Sequence, residues 1–141
     1  MEKIQVKELG HIVLYVKDLK RSVDFYEGIL GWKRVDTPSS MPVAAFSGGT
    51  THHELLLIEV GDMATPKPNA LQIGMYHFGL KVGDSDDELR EVIKSLKNNG
   101  IAPSGSGNHH VTHSIYLKDP DGNEIELYID VPGADWKNNP E

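Results

Sequence analysis

Apolar residues in the first half of the chain change period once, from strand-like to helical. In Gly10-His11-Ile12-Val13-Leu14-Tyr15-Val16-Lys17-Asp18, Ile12, Leu14 and Val16 alternate with other residues, the pattern of a strand with one buried face. After Asp18, Leu19, Val23, Tyr26 and Leu30 fall on one helical stripe, and Gly31 marks a stop. Three strand-like segments follow at 32–37, 42–47 and 52–60. The second half repeats this order. Tyr76-His77-Phe78-Gly79-Leu80-Lys81-Val82-Gly83-Asp84 alternates in the same way, with its His 66 residues after His11. Ser85 and Glu88 form a capping-box pattern ahead of Leu89, Val92, Ile93 and Leu96, and Asn98-Asn99-Gly100 ends that helix. Strands are then expected at 101–104, 112–118 and 124–131.

The pattern is βαβββ used twice, an α+β domain. Module one runs over 8–60 and module two over 75–131. Residues 61–74, with two prolines and two glycines, read as a linker, and residues 132–141 as a polar tail. Trp32 reads as core and Trp136 as tail packing.

A chain of 141 residues with 38% hydrophobic and 25% charged residues suits one domain with a real core. The net charge of −7, without any basic run, makes nucleic acid and anionic membranes poor partners. No apolar run is long enough to span a bilayer. The first ten residues lack the apolar stretch of a signal peptide, so a cytoplasmic location is expected. Cysteine is absent, which fits a reducing compartment and removes thiolate chemistry. A metal here has to use His, carboxylate and water.

Strand alternation selects the candidates. If Ile12, Leu14 and Val16 face the first helix, His11, Val13 and Tyr15 face away from it. In the same way His77 lies opposite Phe78, Leu80 and Val82, and Glu126 lies opposite Ile125, Leu127 and Ile129. Two imidazoles and a carboxylate on the uncovered faces make the facial set typical of non-haem Fe(II) oxygenases, with positions left open. The bland alternative is two solvated His and a surface Glu. The matching positions of the two His in a repeated unit favour the metal.

With these residues in place, the sequence resembles the vicinal oxygen chelate superfamily, which includes glyoxalases, fosfomycin-resistance proteins and extradiol ring-cleaving dioxygenases. GHIVLYVKDLKRSVDFYEGILGWK at the front and IYLKDPDGNEIELY near the end carry the resemblance. It implies paired βαβββ modules forming a cupped mixed sheet around a metal, helices outside, with His11, His77 and Glu126 as ligands. The C-terminal pattern of His109, Ile115-Tyr116, Asp119-Pro120-Asp121-Gly122 and Glu126 is similar to that of extradiol dioxygenases resembling catechol 2,3-dioxygenase. This implies Fe(II), with Mn(II), Zn(II) or Ni(II) as alternatives, and catalytic roles for His109, Tyr116 and His53. An aromatic vicinal diol and O2 would be the substrates, and a homodimer the assembly.

Other residues take plainer readings. His110 and His113 are held in reserve beside His109, and period two prefers His53 to His52, placing it on one face with Leu55 and Leu57. Asp119 to Asn123 is a turn. Glu59, Glu124 and Asp130 read as strand-end surface carboxylates. Glyoxalases use a fourth ligand on the fourth strand, and the expected equivalent, Leu55, cannot ligate. A resistance transferase would need a cationic lining, for which Lys81 is the one candidate. Drug-sequestering relatives lack the triad altogether.

Overall fold

The computed structural model describes residues 3–139, so the first two residues of the N-terminal stretch and the last two of the tail lie outside it. The chain forms two compact units, one running through Thr65 and one from Pro66.

The first unit contains β1 (Ile12–Val16), α1 (Leu19–Val23), β2 (Arg34–Val35), β3 (Val43–Phe46) and β4 (Leu55–Glu59), in the sheet order β1-β4-β3-β2. Strand β1 runs parallel to β4, and the other pairs are antiparallel. The Asp18 carboxylate caps α1 by accepting from Arg21 N at 2.9 Å, and Glu59 accepts from Leu19 N at 2.8 Å. Glu59 thus ties the end of β4 to the start of the helix and is not a free surface group. Beyond Val23 the helix widens into a π-type turn, Asp24–Ile29, which directs Phe25 and Tyr26 inward. Tyr26, Phe46, Leu55 and Leu57 are fully buried, and burial of an apolar side chain contributes roughly 1.5–3 kcal/mol.

The inward position of Leu55 and Leu57 reverses the expected faces of β4. Leu56 and Ile58 lie on the half-buried side, and the strand begins only at Leu55, so alternation does not orient His53. Three apolar residues in a row leave period two unable to say which is inside.

The second unit contains β5 (His77–Gly83), α2 (Asp86–Asn98), β6 (Gly105–Asn108), β7 (Thr112–Lys118) and β8 (Glu124–Asp130), in the sheet order β5-β8-β7-β6. Again the first and last strands run parallel. The capping box forms: Ser85 Oγ accepts from Glu88 N at 3.3 Å, and Glu88 accepts from Asp84 N at 2.7 Å. Gly100, at φ +73°, turns the chain out of α2.

Strand β6 lies four residues later than the expected 101–104. Ile101 N donates to Leu96 O at 2.9 Å and so closes the helix, and Pro103 has no N–H for a ladder. Among the described residues, no helix is long and apolar enough to cross a membrane.

Candidate functional site

Register fixes the site in the second unit. Parallel pairing sets His77 beside Glu124 and Gly79 beside Glu126, while antiparallel pairing sets Tyr116 beside Glu126. The apolar partners Phe78, Ile125, Leu127, Ile115 and Leu117 are buried on the other face. His77, Glu126 and Tyr116 therefore share the face that α2 does not cover.

The side chains meet in a row. His77 Nδ1 lies 3.3 Å from Glu124 Oε2, and His77 Nε2 lies 3.2 Å from Glu126 Oε2. The Tyr116 hydroxyl donates to Glu126 Oε1 at 3.4 Å and stands 2.9 Å from His109 Nε2. His109 Nε2 is itself 3.7 Å from Glu126 Oε1. The His77 and Tyr116 rings pack edge to face at 5.6 Å.

His109 reaches back because β6 and β7 are joined by a tight turn, closed by His109 N donating to Thr112 O at 3.0 Å. Gly107 leaves the space it occupies. A Cβ there would lie 2.8 Å from His109 Nε2, 3.0 Å from Ser114 Oγ and 3.2 Å from the Tyr116 hydroxyl. The Ser114 hydroxyl is buried and, among the described residues, without a hydrogen-bond partner.

The remaining histidines separate. His113 points to the helix side, where its Nδ1 lies 2.6 Å from Asp86 Oδ1 at the start of α2. His110 occupies the turn at φ 65° and stays exposed. Of the three neighbours, His109 alone contacts Tyr116.

In the first unit, His11 is exposed immediately before β1, and its ring packs 4.8 Å from that of His53. His53 Nδ1 meets His52 Nδ1 at 2.6 Å. Partial burial, then the charges of His52 and His11, hold the His53 imidazole below its ordinary pKa. The neutral ring is favoured there.

The two sheets also give a strict equivalence between modules. Val13 pairs with Leu56 as Gly79 pairs with Glu126, each two residues beyond its His. The position equivalent to Glu126 is thus Leu56, not Leu55, which faces the core. Leu56 cannot ligate either.

Lys81 is neutralised, lying 2.8 Å from Asp130 and 2.6 Å from Asp84. These hydrogen bonds push its pKa further up. It offers little free positive charge to a phosphonate, and Asp130 is an ion-pair partner, not a lone surface acid.

Glu124 is the residue that alternation alone passed over. Its carboxylate atom Oε2 and His77 Nδ1 are both buried and, among the described residues, without hydrogen-bond partners. Beside it the Tyr76 phenol is held above its usual pKa by the charge of Glu124 and a hydrogen bond to it. The signal was available in the sequence as a pairing: if β5 and β8 lie side by side, His77 meets Glu124.

Two donors bound at ~2.1 Å to one ion, at angles from square to tetrahedral, lie ~3.0–3.4 Å apart. The 3.2 Å between His77 Nε2 and Glu126 Oε2 suits a shared cation. Among the described residues no three His, Asp or Glu side chains are gathered into a set able to hold a metal. His77 and Glu126 belong to the second unit and His11 to the first.

Residues 8–127 match the model of the Glyoxalase/Bleomycin resistance protein/Dioxygenase superfamily. The chain belongs to that superfamily. Within it, the chain is 32% identical to a catechol-2,3-dioxygenase of Bacillus subtilis (strain 168), the match covering 94% of this chain and 45% of that protein. It is 31% identical to biphenyl-2,3-diol 1,2-dioxygenase 2 of Rhodococcus globerulus, covering 87% of this chain and 63% of the relative. A lactoylglutathione lyase of Neisseria meningitidis is 29% identical, covering 90% of this chain and 94% of the lyase. The chain thus spans only about half to two thirds of these dioxygenases but nearly all of the lyase. The superfamily fold is also seen in a glyoxalase/dioxygenase from Nostoc punctiforme, at TM-score 0.76 and 22% identity, covering 92% of this chain and 98% of that one.

Proposed function

We propose that this superfamily member is an extradiol-type dioxygenase, which opens an aromatic vicinal diol with O2. His77 and Glu126 would hold one Fe(II) together with a His11. Bound Fe(II) supplies Lewis acidity toward a chelating diol and the redox chemistry for O2.

The observation that carries the reading is the Tyr116 hydroxyl standing between Glu126 and His109. A diol oxygen brought to the Glu126 side is within reach of that hydroxyl, which orients it by a hydrogen bond. His109 Nε2 receives a proton through Tyr116 and returns it to a ring-opened oxygen, a role suited to an imidazole near neutral pH. His53, beside His11, is a second neutral imidazole for proton transfer. Leu56 would add no fourth ligand, and the bound metal would then be able to take a diol and O2. The absence of cysteine suits a cytoplasmic enzyme, and the assembly would be a homodimer.

One observation favours a second reading, a glyoxalase-like lyase. The chain covers 94% of the lactoylglutathione lyase but 45% of the catechol-2,3-dioxygenase. Against it stands an apolar Leu56 where a fourth ligand is wanted.

The deciding assay uses protein reconstituted with Fe(II) without air and offered a panel of catechols. O2 uptake matched by a yellow ring-opened product is expected, with iron measured in the same sample. Iron-loaded protein that consumes no O2 but isomerises a hemithioacetal would replace the first reading with the second.

A further inference from the structure

We infer that Glu124 is a positioning residue for His77: its carboxylate takes the Nδ1–H of that imidazole and so leaves the Nε2 lone pair directed toward the Glu126 side. This rests on the proposal that His77 and Glu126 share a metal.

A neutral imidazole carries one N–H, and the nitrogen that does not carry it is the ligand. Which nitrogen is bare is set by the hydrogen bond made at the other one. In this structure His77 is bracketed. Nε2 faces Glu126 Oε2 at 3.2 Å, and Nδ1 faces Glu124 Oε2 at 3.3 Å. Nδ1 and Glu124 Oε2 are buried, and among the described residues neither has a hydrogen-bond partner. Leaving both unpaired would cost each its desolvation. A hydrogen bond between this facing pair would satisfy both atoms at once.

The first module supplies the contrast. The pairing of β1 with β4 sets Glu54 where Glu124 stands in the second module, one residue before Leu55 as Glu124 precedes Ile125. The Glu54 carboxylate is occupied by local donors, Gly48 N at 2.8 Å and Thr51 Oγ1 at 3.3 Å. Those bonds organise a loop. Among the described residues Glu124 is given no such backbone donor, and its neighbours include Tyr76 and His77. The same residue type at the same register position is used for loop structure in one module and left facing the imidazole in the other.

The test uses the full chain, free of metal, in two measurements. The 15N shifts of the His77 ring at about pH 9, where a free imidazole is neutral, report its tautomer. Calorimetric titration with Co(II) reports affinity. The wild type is expected to carry the Nδ1 proton. Glu124→Ala should move that proton to Nε2 and weaken Co(II) binding ~10–100-fold. Glu124→Gln, whose amide oxygen still accepts, should keep the Nδ1 proton and recover most of the affinity. Glu124→Met serves in place of the Ala variant if that one does not fold.

An unchanged tautomer and unchanged Co(II) affinity in Glu124→Ala would overturn the inference while leaving the metal site standing. A tautomer that moves in a protein that binds no Co(II) even as wild type would uphold the role of Glu124 and overturn the metal.

Discussion

Tyr116 and His109, seven residues apart, meet hydroxyl to imidazole at 2.9 Å. The contact depends on two backbone facts: the tight turn after β6, and a glycine at 107 that leaves the intervening space empty. It joins a residue of the turn to one in the middle of β7, and through Tyr116 to Glu126 on β8.

If this link moves protons, Tyr116→Phe and His109→Ala should each lower kcat on a catechol by ~10²-fold or more while metal content stays near wild type. The double variant should be little worse than the weaker single, because both act in one unit. Additive losses would separate the two roles, and lost metal in either variant would move that residue among the ligands.

Removal of a proposed ligand should read differently. His11→Ala, His77→Ala and Glu126→Ala should each weaken metal binding by at least ~100-fold, more than loss of a supporting residue does. Metal analysis after reconstitution and gel filtration checks this. Wild-type metal content in His11→Ala would remove the first module from the site.

Gly107→Ala places a methyl 2.8 Å from His109 Nε2. The exposed His109 ring can swing away, so the fold should survive with a modest loss of melting temperature, while kcat falls as far as in His109→Ala. A Gly107→Ala enzyme with full turnover would show that the His109–Tyr116 contact is not used.

Leu56→Glu restores a carboxylate at the position equivalent to Glu126. Tighter Zn(II) or Ni(II) binding and weaker ring cleavage are expected, measured by calorimetry and O2 uptake. Unchanged metal affinity would mean that the two modules do not present these positions to one ion.

The Glu54 carboxyl is pushed up by burial, but hydrogen bonds from Gly48, Ser47, Thr50 and Thr51 outweigh this and hold it below its usual pKa. A depressed carboxylate contributes stability that is complete above the ordinary Glu value of ~4.3 and is lost as pH falls through the lower folded value. Melting curves of wild type and Glu54→Gln should therefore differ most at neutral pH and converge toward acid. A gap that persists unchanged at the acid end would assign the effect to shape and not to charge.

The sequence by itself determined the repeat, the strand faces at β1, β5 and β8, and the capping of α2, because each follows from spacing within one segment. Alternation was enough to set His77 and Glu126 on the face opposite Phe78 and Ile125, since one clear apolar stripe leaves no choice. It failed at β4, where Leu55, Leu56 and Leu57 are equally apolar and only burial in the core, where Tyr26 and Phe46 also lie, selects Leu55 and Leu57. It also failed at Glu124, a strand-end acid by local pattern. Only the parallel pairing of β5 with β8, strands 47 residues apart at their first positions, brings that acid to His77. His109 was preferred to His110 and His113 by its spacing to Tyr116, but what separates the three is tertiary: a turn at positive φ and a helix across the sheet send the imidazoles to different places. Local spacing fixes which face a side chain takes, but register and packing, which depend on segments far apart in the chain, fix what it meets there.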